Sequence, residues 1–255
     1  MDPDLHPHPR DSAAYHHPAL RALRADLALA LRAADHHGLG EGICNHFSLA
    51  VPAALAGGPD RFLINPQGLH WREIVADDIV LVDADGRPLA GRHPVEATAM
   101  LIHAAVHRIA GKTCVLHTHM PHATALTLTQ GRALDPCLSQ TAMRFHGRLA
   151  VDGHYNGLAL DAAEGERIAR AMGGADVVFL ANHGVIVCGT HIDHAYDDLY
   201  YLERACQAQW LAECSGRKLA PVDAALAAKV AAQTAGERAQ STLFFRALGR
   251  LLPER

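Results

Sequence analysis

The strongest constraint on the fold is a repeated change of hydrophobic period along the chain. From Pro18 to His37 the apolar residues recur every three or four positions, which predicts an amphipathic helix that ends before Gly38. Short runs such as RFLIN and VVFLA have the length and composition of buried strands. Helices and strands alternate as far as a long helix predicted over residues 192–214. Connections near 83–86 and 182–185 are short, so we predict a layered α/β domain with a mostly antiparallel sheet.

Length and composition favour one sizeable core, since the chain has 255 residues of which 49% are hydrophobic. We expect a mobile, Pro- and His-rich tail over residues 1–17, an α/β domain over 18–215, and a helical arm over 216–255. The apolar side chains near the end of this arm predict that it docks on a neighbouring subunit: Phe244, Phe245, Leu248 and Leu252.

Charge and segment patterns exclude several classes of partner. The net charge is -4 and the basic residues are spread along the chain, so a nucleic-acid partner is not expected. The longest apolar segments are interrupted by Arg and Asp, so no membrane span is expected either. The first residues lack the pattern of a signal peptide, and the 6 cysteines form no Cys-x-x-Cys pair. Both observations favour a cytoplasmic protein with reduced thiols.

The run CVLHTHMPHA places three histidines within six positions of a predicted strand and its end. Side chains two residues apart on a strand face the same side, so His117 and His119 can reach one ion. Zinc binds neutral imidazole, and a catalytic zinc usually has three protein ligands. We predict His183 as the third, because it lies in the turn after an adjacent strand, where Gly184 lets the backbone bend. The alternative is that these imidazoles are hydrogen-bonded core residues and that His122 only begins the next helix.

Four motifs, in this order, resemble the class II aldolase and adducin family: CNHFSLAV, FLINPQGLHWREI, VLHTHMPHATAL and LANHGVIVCG. The resemblance extends from about Pro18 to Trp210. It implies a three-layer α/β/α fold around a central, mostly antiparallel sheet, and commonly a homotetramer with sites near subunit interfaces. It also implies a divalent metal, Zn²⁺ first and Fe²⁺, Mn²⁺ or Co²⁺ as alternatives, bound by three residues: His117, His119 and His183.

The substrate motifs differ from those of the sugar-phosphate aldolases in this family. Two of their phosphate-binding motifs are replaced here by NHFS at 45–48 and NPQG at 65–68, and their Ser-Ser-Glu motif is absent. We therefore expect a small substrate without phosphate, whose oxygens neutral donors can bind. The expected substrate-binding residues are His46, Gln67, Gly68 and His70. Further candidates in this region are His103, His107, His154 and Tyr155.

The acid/base residue also departs from the pattern that the resemblance implies. In the aldolases a glutamate lies four residues before a helix histidine that matches His103, and Ala99 occupies that position here. Glu96 lies seven residues before His103, about two turns along one helix face, and is our catalytic candidate. The alternative is that Glu96 is a solvated residue that the helix dipole stabilises.

Three functions fit these observations. The first is a metal-dependent lyase, an aldolase or decarboxylase acting on a small hydroxy- or oxo-acid through a metal-stabilised enolate. The second is a non-haem Fe(II) oxygenase that decarboxylates its substrate oxidatively on the same site. The third is an adducin-like interaction module without activity. We prefer the lyase, since a module has no physical reason to keep three desolvated imidazoles together.

Overall fold

The structure, a computed structural model, describes residues 14–254. Eight strands form one sheet in the order β4-β3-β2-β1-β5-β8-β7-β6. Neighbouring strands are antiparallel except for the parallel pair β6 and β7. The predicted mostly antiparallel sheet is thus confirmed. In chain order the strands are β1 (His46–Val51), β2 (Arg61–Ile64), β3 (Val80–Val82), β4 (Pro88–Ala90), β5 (Cys114–Thr118), β6 (Leu149–Asp152), β7 (Val177–Leu180) and β8 (Gly184–Gly189).

The α-helices lie on the two faces of this sheet or at the end of the chain. They are α1 (Pro18–His36), α2 (Ala53–Ala56), α3 (Ala97–Ile109), α4 (Pro121–Thr127), α5 (Gln140–Met143), α6 (Ala162–Ala171), α7 (Ile192–Cys214), α8 (Ala224–Gly236) and α9 (Ala239–Leu251). Short 3₁₀ helices span Trp71–Glu73 and Ala76–Asp78.

Alternate residues of the central strands enter two separate cores, as the two-residue repeat of a strand requires. Cys114 and Leu116 of β5 pack with α1, α4, α7 and α9, whereas Val115 packs with α3 and α6. In β7, Phe179 belongs to the first core and Val178 to the second. The sheet is therefore covered on both faces, and the predicted three-layer α/β/α architecture is confirmed.

The spacing of apolar residues from Pro94 to Ile109 predicts a helix over this whole range, but α3 begins at Ala97. Glu96 is its N-cap residue, with φ -79° and ψ 130°, so its backbone is extended rather than helical. The prediction that Glu96 and His103 share one helix face is therefore wrong, because Glu96 precedes the first turn of α3. Its side chain still reaches the site, by a different path described below.

The ends of the chain pack more closely on the domain than predicted. The ring of Tyr15 is buried, and its hydroxyl donates to the carbonyl of Ile79 (2.6 Å), so the core begins before the predicted boundary at residue 18. Residues 1–13 of the predicted tail lie outside the described part of the chain.

The predicted docking of the C-terminal arm on another subunit is wrong for its four apolar side chains. Phe245 and Leu248 of α9 are buried in the core that α1 and α7 share, and Phe244 and Leu252 pack on its edge. The apolar stripe of α9 therefore finds its partner within its own chain.

Among the residues that the structure describes, no helix combines the length and the apolar character needed to cross a bilayer.

Candidate metal centre

The three histidines predicted as metal ligands come together at one end of the central strands. His117 lies in β5, His119 follows directly after that strand, and His183 lies in the turn between β7 and β8. One ring nitrogen from each lies within 4.8 Å of the other two. Their ring centroids are 4.8–5.0 Å apart, so the three rings surround one point. Antiparallel pairing of β5 with β8 produces this arrangement, because it places Thr118 opposite Val185.

Hydrogen bonds orient two of these rings. Nδ1 of His117 lies 3.0 Å from the carbonyl oxygen of Val185, and Nδ1 of His119 lies 2.6 Å from a carboxylate oxygen of Glu41. A carbonyl and an ionised carboxylate only accept, so both Nδ1 atoms carry the proton and both Nε2 atoms keep a free lone pair. A ligating histidine is oriented in the same way in metalloproteins.

The Nε2 atom of His119 supports a metal most directly. It is fully buried and has no hydrogen-bond partner within residues 14–254. A buried polar atom without a partner costs about 1–3 kcal/mol, which a bound cation would remove. The three residues therefore fit a divalent ion, although their binding of one remains a prediction.

Burial favours the neutral form of His117 and of His183. It lowers the pKa of His117 well below the ordinary value, and repulsion from His183 and His119 adds to this effect. Burial also lowers the pKa of His183 to about 4, again with help from His119. Neutral rings at pH 7 present the lone pairs that a metal requires without prior loss of a proton.

Two asparagines from the first sequence motifs hold the backbone around His119. Asn45 has φ 78°, in the left-handed region that asparagine tolerates better than most residues. Its side-chain oxygen accepts a hydrogen bond from the backbone N–H of His119 (3.2 Å). Asn65 accepts from the N–H of Phe47 (2.9 Å), which secures the start of β1. These motif positions thus support the site, while Glu41, which sequence reasoning missed, contacts a predicted ligand.

Gly184 has a different role from the one predicted. The left-handed residue of this turn is Asn182, with φ 57°, whereas Gly184 begins β8. A Cβ atom on Gly184 would lie 2.6 Å from the Thr118 carbonyl oxygen and 2.7 Å from Cδ2 of His119. Glycine is therefore required there by close packing against the site rather than by a bend.

His46 and Glu96 form a polar pair beside the three histidines. His46 is the register partner of His117 across β1 and β5, and their rings are stacked with centroids 6.3 Å apart. Nε2 of His46 lies 2.7 Å from Oε2 of Glu96. Hydrogen bonds from His46 and Thr98 lower the pKa of Glu96 to about 2, against the opposing effect of burial. The carboxylate is therefore ionised at neutral pH.

Two further helix histidines lie behind this pair rather than in the open site. His103 is fully buried, and its ring meets that of His46 edge to face at 5.9 Å. The hydroxyl of Ser48 lies between Nδ1 of His103 and Nε2 of His107, at 2.5 and 2.7 Å. Nδ1 of His107 donates to the carbonyl of Lys112. This network fixes α3 against β1.

The other predicted substrate residues lie in the loop after β2 and the turn that follows it. Gln67 and Gly68 are exposed, and the N–H of Gln67 donates to the carbonyl of Pro94 (2.8 Å). His70 caps the short helix Trp71–Glu73, where its Nδ1 accepts from the N–H of Arg72. No hydrogen bond in the described region joins His70 to the three histidines, so its part in substrate binding stays a prediction.

Tyr155 lies at the open side of the site, next to His154. Its ring centroid is 6.3 Å from that of His183, and the residue is 52% exposed. Leu158 and Leu160 follow on the same loop and are each 72% exposed. The phenol of Tyr155 thus lies beside His183, and the loop that follows it exposes two leucines to solvent.

Comparison of this chain with known proteins identifies its family. Residues 25–210 match the model of the class II aldolase and adducin N-terminal domain, and the chain therefore belongs to this family.

A Pseudomonas aeruginosa protein assigned to aldolase class 2 is 35% identical over 217 residues, which cover 84% of this chain and 81% of the relative. A solved L-fuculose 1-phosphate aldolase from Glaciozyma antarctica superimposes with a TM-score of 0.79 at 26% identity, over 91% of this chain and 90% of that one. A Streptomyces roseochromogenus protein named 4-hydroxy-3-prenylphenylpyruvate oxygenase/4-hydroxy-3-prenylbenzoate synthase is 31% identical over 159 residues, which cover 62% of this chain and 57% of its own.

Proposed function

We propose that this protein is a metal-dependent carbon–carbon lyase, an aldolase or decarboxylase acting on a small, non-phosphorylated hydroxy- or oxo-acid. The observation that carries the proposal is the meeting of three imidazoles, two of them oriented by hydrogen bonds, beside the His46–Glu96 pair. Similarity to a solved L-fuculose 1-phosphate aldolase supports the lyase class.

Three histidines would hold the cation: His117, His119 and His183. A divalent ion, zinc in the first instance, would polarise a substrate carbonyl or carboxylate and stabilise the negative charge that carbon–carbon cleavage leaves on it. The protein shields one side of the site from water, because His117 is 3% exposed and its strand is buried throughout. Exclusion of water strengthens each electrostatic contact with the substrate.

In this proposal His46 and Glu96 would together move one proton. The ionised carboxylate of Glu96 lies 2.7 Å from Nε2 of His46. Its negative charge would stabilise the imidazole ring when the ring takes a proton. The same pairing of histidine with carboxylate supports general acid/base catalysis in other enzymes. In our proposal this pair replaces the aldolase glutamate, whose position Ala99 occupies here.

Substrate selection follows from the neutral donors around the site. Gln67 and Gly68 lie in the loop after β2, and His70 lies beyond them; none of these residues has a permanent positive charge. Hydroxyl, carbonyl and single carboxylate groups suit such donors better than a dianionic phosphate does. We therefore place the substrate among small hydroxy- and oxo-acids.

Assembly into a homo-oligomer, a tetramer in our proposal, is supported by the loop that follows Tyr155. Two neighbouring leucines at 72% exposure form an apolar surface that water does not favour, and a second subunit would cover it. Light scattering of the purified protein tests this: a mass of four chains supports the proposal, and a mass of one chain contradicts it.

The second candidate is an Fe(II) oxygenase that cleaves the same substrates oxidatively, and the Streptomyces relative's name favours it. Protein loaded separately with zinc and with Fe(II) should be given a panel of hydroxy- and oxo-acids, with aldehyde and CO₂ release followed with and without oxygen. Product release with zinc under nitrogen supports the lyase. Release that requires both Fe(II) and oxygen supports the oxygenase, and His183→Ala should abolish either.

A further inference from the structure

A cluster of charged side chains lies at the opposite end of the central strands from the three histidines. Lys112 precedes β5, Asp176 precedes β7, and Thr190 follows the end of β8. The three histidines lie at the other ends of these strands. At about 3.3 Å per residue, a five-residue strand separates the two regions by roughly 15 Å. The cluster is therefore distinct from the candidate metal centre.

The cluster surrounds a cavity of about 420 Å³ between this end of the sheet and helices α7 and α8. Its volume lies in the range of small-molecule sites. The lining includes four cationic side chains, Lys112, Arg144, Arg148 and Arg238, and two carboxylates, Asp176 and Asp198. The buried carboxylate of Asp197 also pairs with Arg144 and Arg238, so four cations meet three carboxylates.

Asp198 gathers three of these cations. Its carboxylate is 1% exposed and accepts hydrogen bonds from Arg144 (3.2 Å), Arg148 (2.6 Å) and both terminal nitrogens of Arg238 (2.9 and 2.8 Å). Burial opposes ionisation of Asp198, but the bonds from Arg238 and Arg148 hold the pKa of its carboxyl below the ordinary value. One ionised carboxylate thus holds three guanidinium groups at the wall of one cavity.

These ion pairs leave some N–H donors of the cationic side chains without an acceptor in the described chain. Arg238 spends one N–H of each terminal nitrogen on Asp198, and Lys112 spends one N–H on Asp176 (2.9 Å), so both keep donors for another acceptor. Nε of Arg144 is fully buried and has no partner within the described chain. An additional acceptor in the cavity would balance charge as well as hydrogen bonds.

We propose that this cavity is a second binding site, for a phosphate group, either free or carried by a small ester. Its donors come from the loop before β5, the segment after α5 and the start of α9, so they approach from several directions. A tetrahedral oxyanion can accept from such a set, whereas a planar carboxylate best satisfies a single guanidinium fork. The inference goes beyond the proposed lyase activity and does not depend on it.

Calorimetric titration of the full chain with inorganic phosphate, and separately with phenyl phosphate, tests this proposal. Ionic strength is held constant with chloride so that general screening does not change. The variant is Lys112→Gln, whose amide keeps a donor for Asp176. The matched control is Arg108→Gln, because Arg108 forms a 2.9 Å ion pair with Glu166 away from the cavity. Thermal unfolding without phosphate verifies that both variants fold.

We expect one phosphate per chain, an affinity at least about tenfold weaker in Lys112→Gln, and no change in Arg108→Gln. Binding of inorganic phosphate alone would identify the free anion as the occupant, and equal or tighter binding of phenyl phosphate would identify an ester; both support the site. Absence of millimolar binding, or equal affinity in Lys112→Gln, would overturn it. A change of oligomeric mass in Lys112→Gln, together with no phosphate binding by the protein, would also overturn the proposal. A second subunit would then fill the cavity.

Discussion

Nε2 of His46 lies 2.7 Å from Oε2 of Glu96, and His46 is also the register partner of His117 across the sheet. This relationship connects the N-cap of α3 to the candidate metal centre through one imidazole. It brings the side chain of Glu96 beside the three histidines by a contact that helix periodicity does not predict.

Replacing Glu96 with Gln should lower the lyase turnover number by about 10²–10⁴-fold, the range that acid/base groups contribute. Metal content should stay at the wild-type level, because Glu96 contacts none of the three predicted ligands. The control is Glu166→Gln, which removes a carboxylate that pairs with Arg108 and Arg170 between α3 and α6. Equal activity in Glu96→Gln and Glu166→Gln would contradict the role of the His46–Glu96 pair.

Replacing Glu41 with Gln should weaken metal affinity by about 10–100-fold. The carboxylate accepts from Nδ1 of His119 at 2.6 Å and so keeps the lone pair of Nε2 directed at the site. Competition with a chelator measures the affinity. Asp85→Asn, which breaks an exposed ion pair with Arg87, is the control and should leave it unchanged. A wild-type affinity in Glu41→Gln would show that this contact does not tune the site.

Replacing Gly184 with Ala should displace His119, because the new Cβ atom would lie 2.7 Å from its Cδ2. Overpacking of this kind lowers the free energy of unfolding by about 1–3 kcal/mol, and metal affinity should fall with it. Gly174→Ala is the matched control, since a Cβ atom there meets nothing within 4 Å. The two variants should be compared by urea unfolding and chelator competition, and identical behaviour would refute the packing argument.

Stability should fall as pH drops from 6.5 towards 4. Burial lowers the pKa of His107 to about 4, against an ordinary value of 6.5, so in this window the unfolded chain binds a proton that the folded chain does not. The contribution is fully present above pH 6.5 and is lost at up to about 1.4 kcal/mol per pH unit. Urea unfolding of chelated protein should show a shallower pH slope in His107→Asn than in wild type. An unchanged slope would contradict the assignment.

The sequence was sufficient to predict the layers and the position of the three histidines. The two-residue repeat identifies the strands, and the short connection between β7 and β8 favours an antiparallel pair whose turn contains His183. The position of this turn next to the end of β5, 68 residues away in sequence, was predicted from the family resemblance. Side-chain alternation then places His117 correctly. Strand alternation depends on local pattern, which a single sequence encodes directly, whereas the pairing of β5 with β8 does not.

Contacts across long sequence separations were not predictable in the same way. Glu41 meets His119 from 78 residues away, and Glu96 meets His46 from 50 residues away. Such contacts depend on loop paths and on where a helix begins, and α3 begins three residues later than its apolar pattern indicates. The partner of α9 was likewise misjudged, because an amphipathic stripe does not specify which surface covers it.

The central claim is that His117, His119 and His183 bind one divalent cation. Elemental analysis by mass spectrometry of protein purified without added metal, alongside a His119→Ala variant, tests it most directly. The account predicts about one ion per wild-type chain and almost none in the folded variant. A wild-type protein without stoichiometric metal, or a variant with the same metal content, would contradict it.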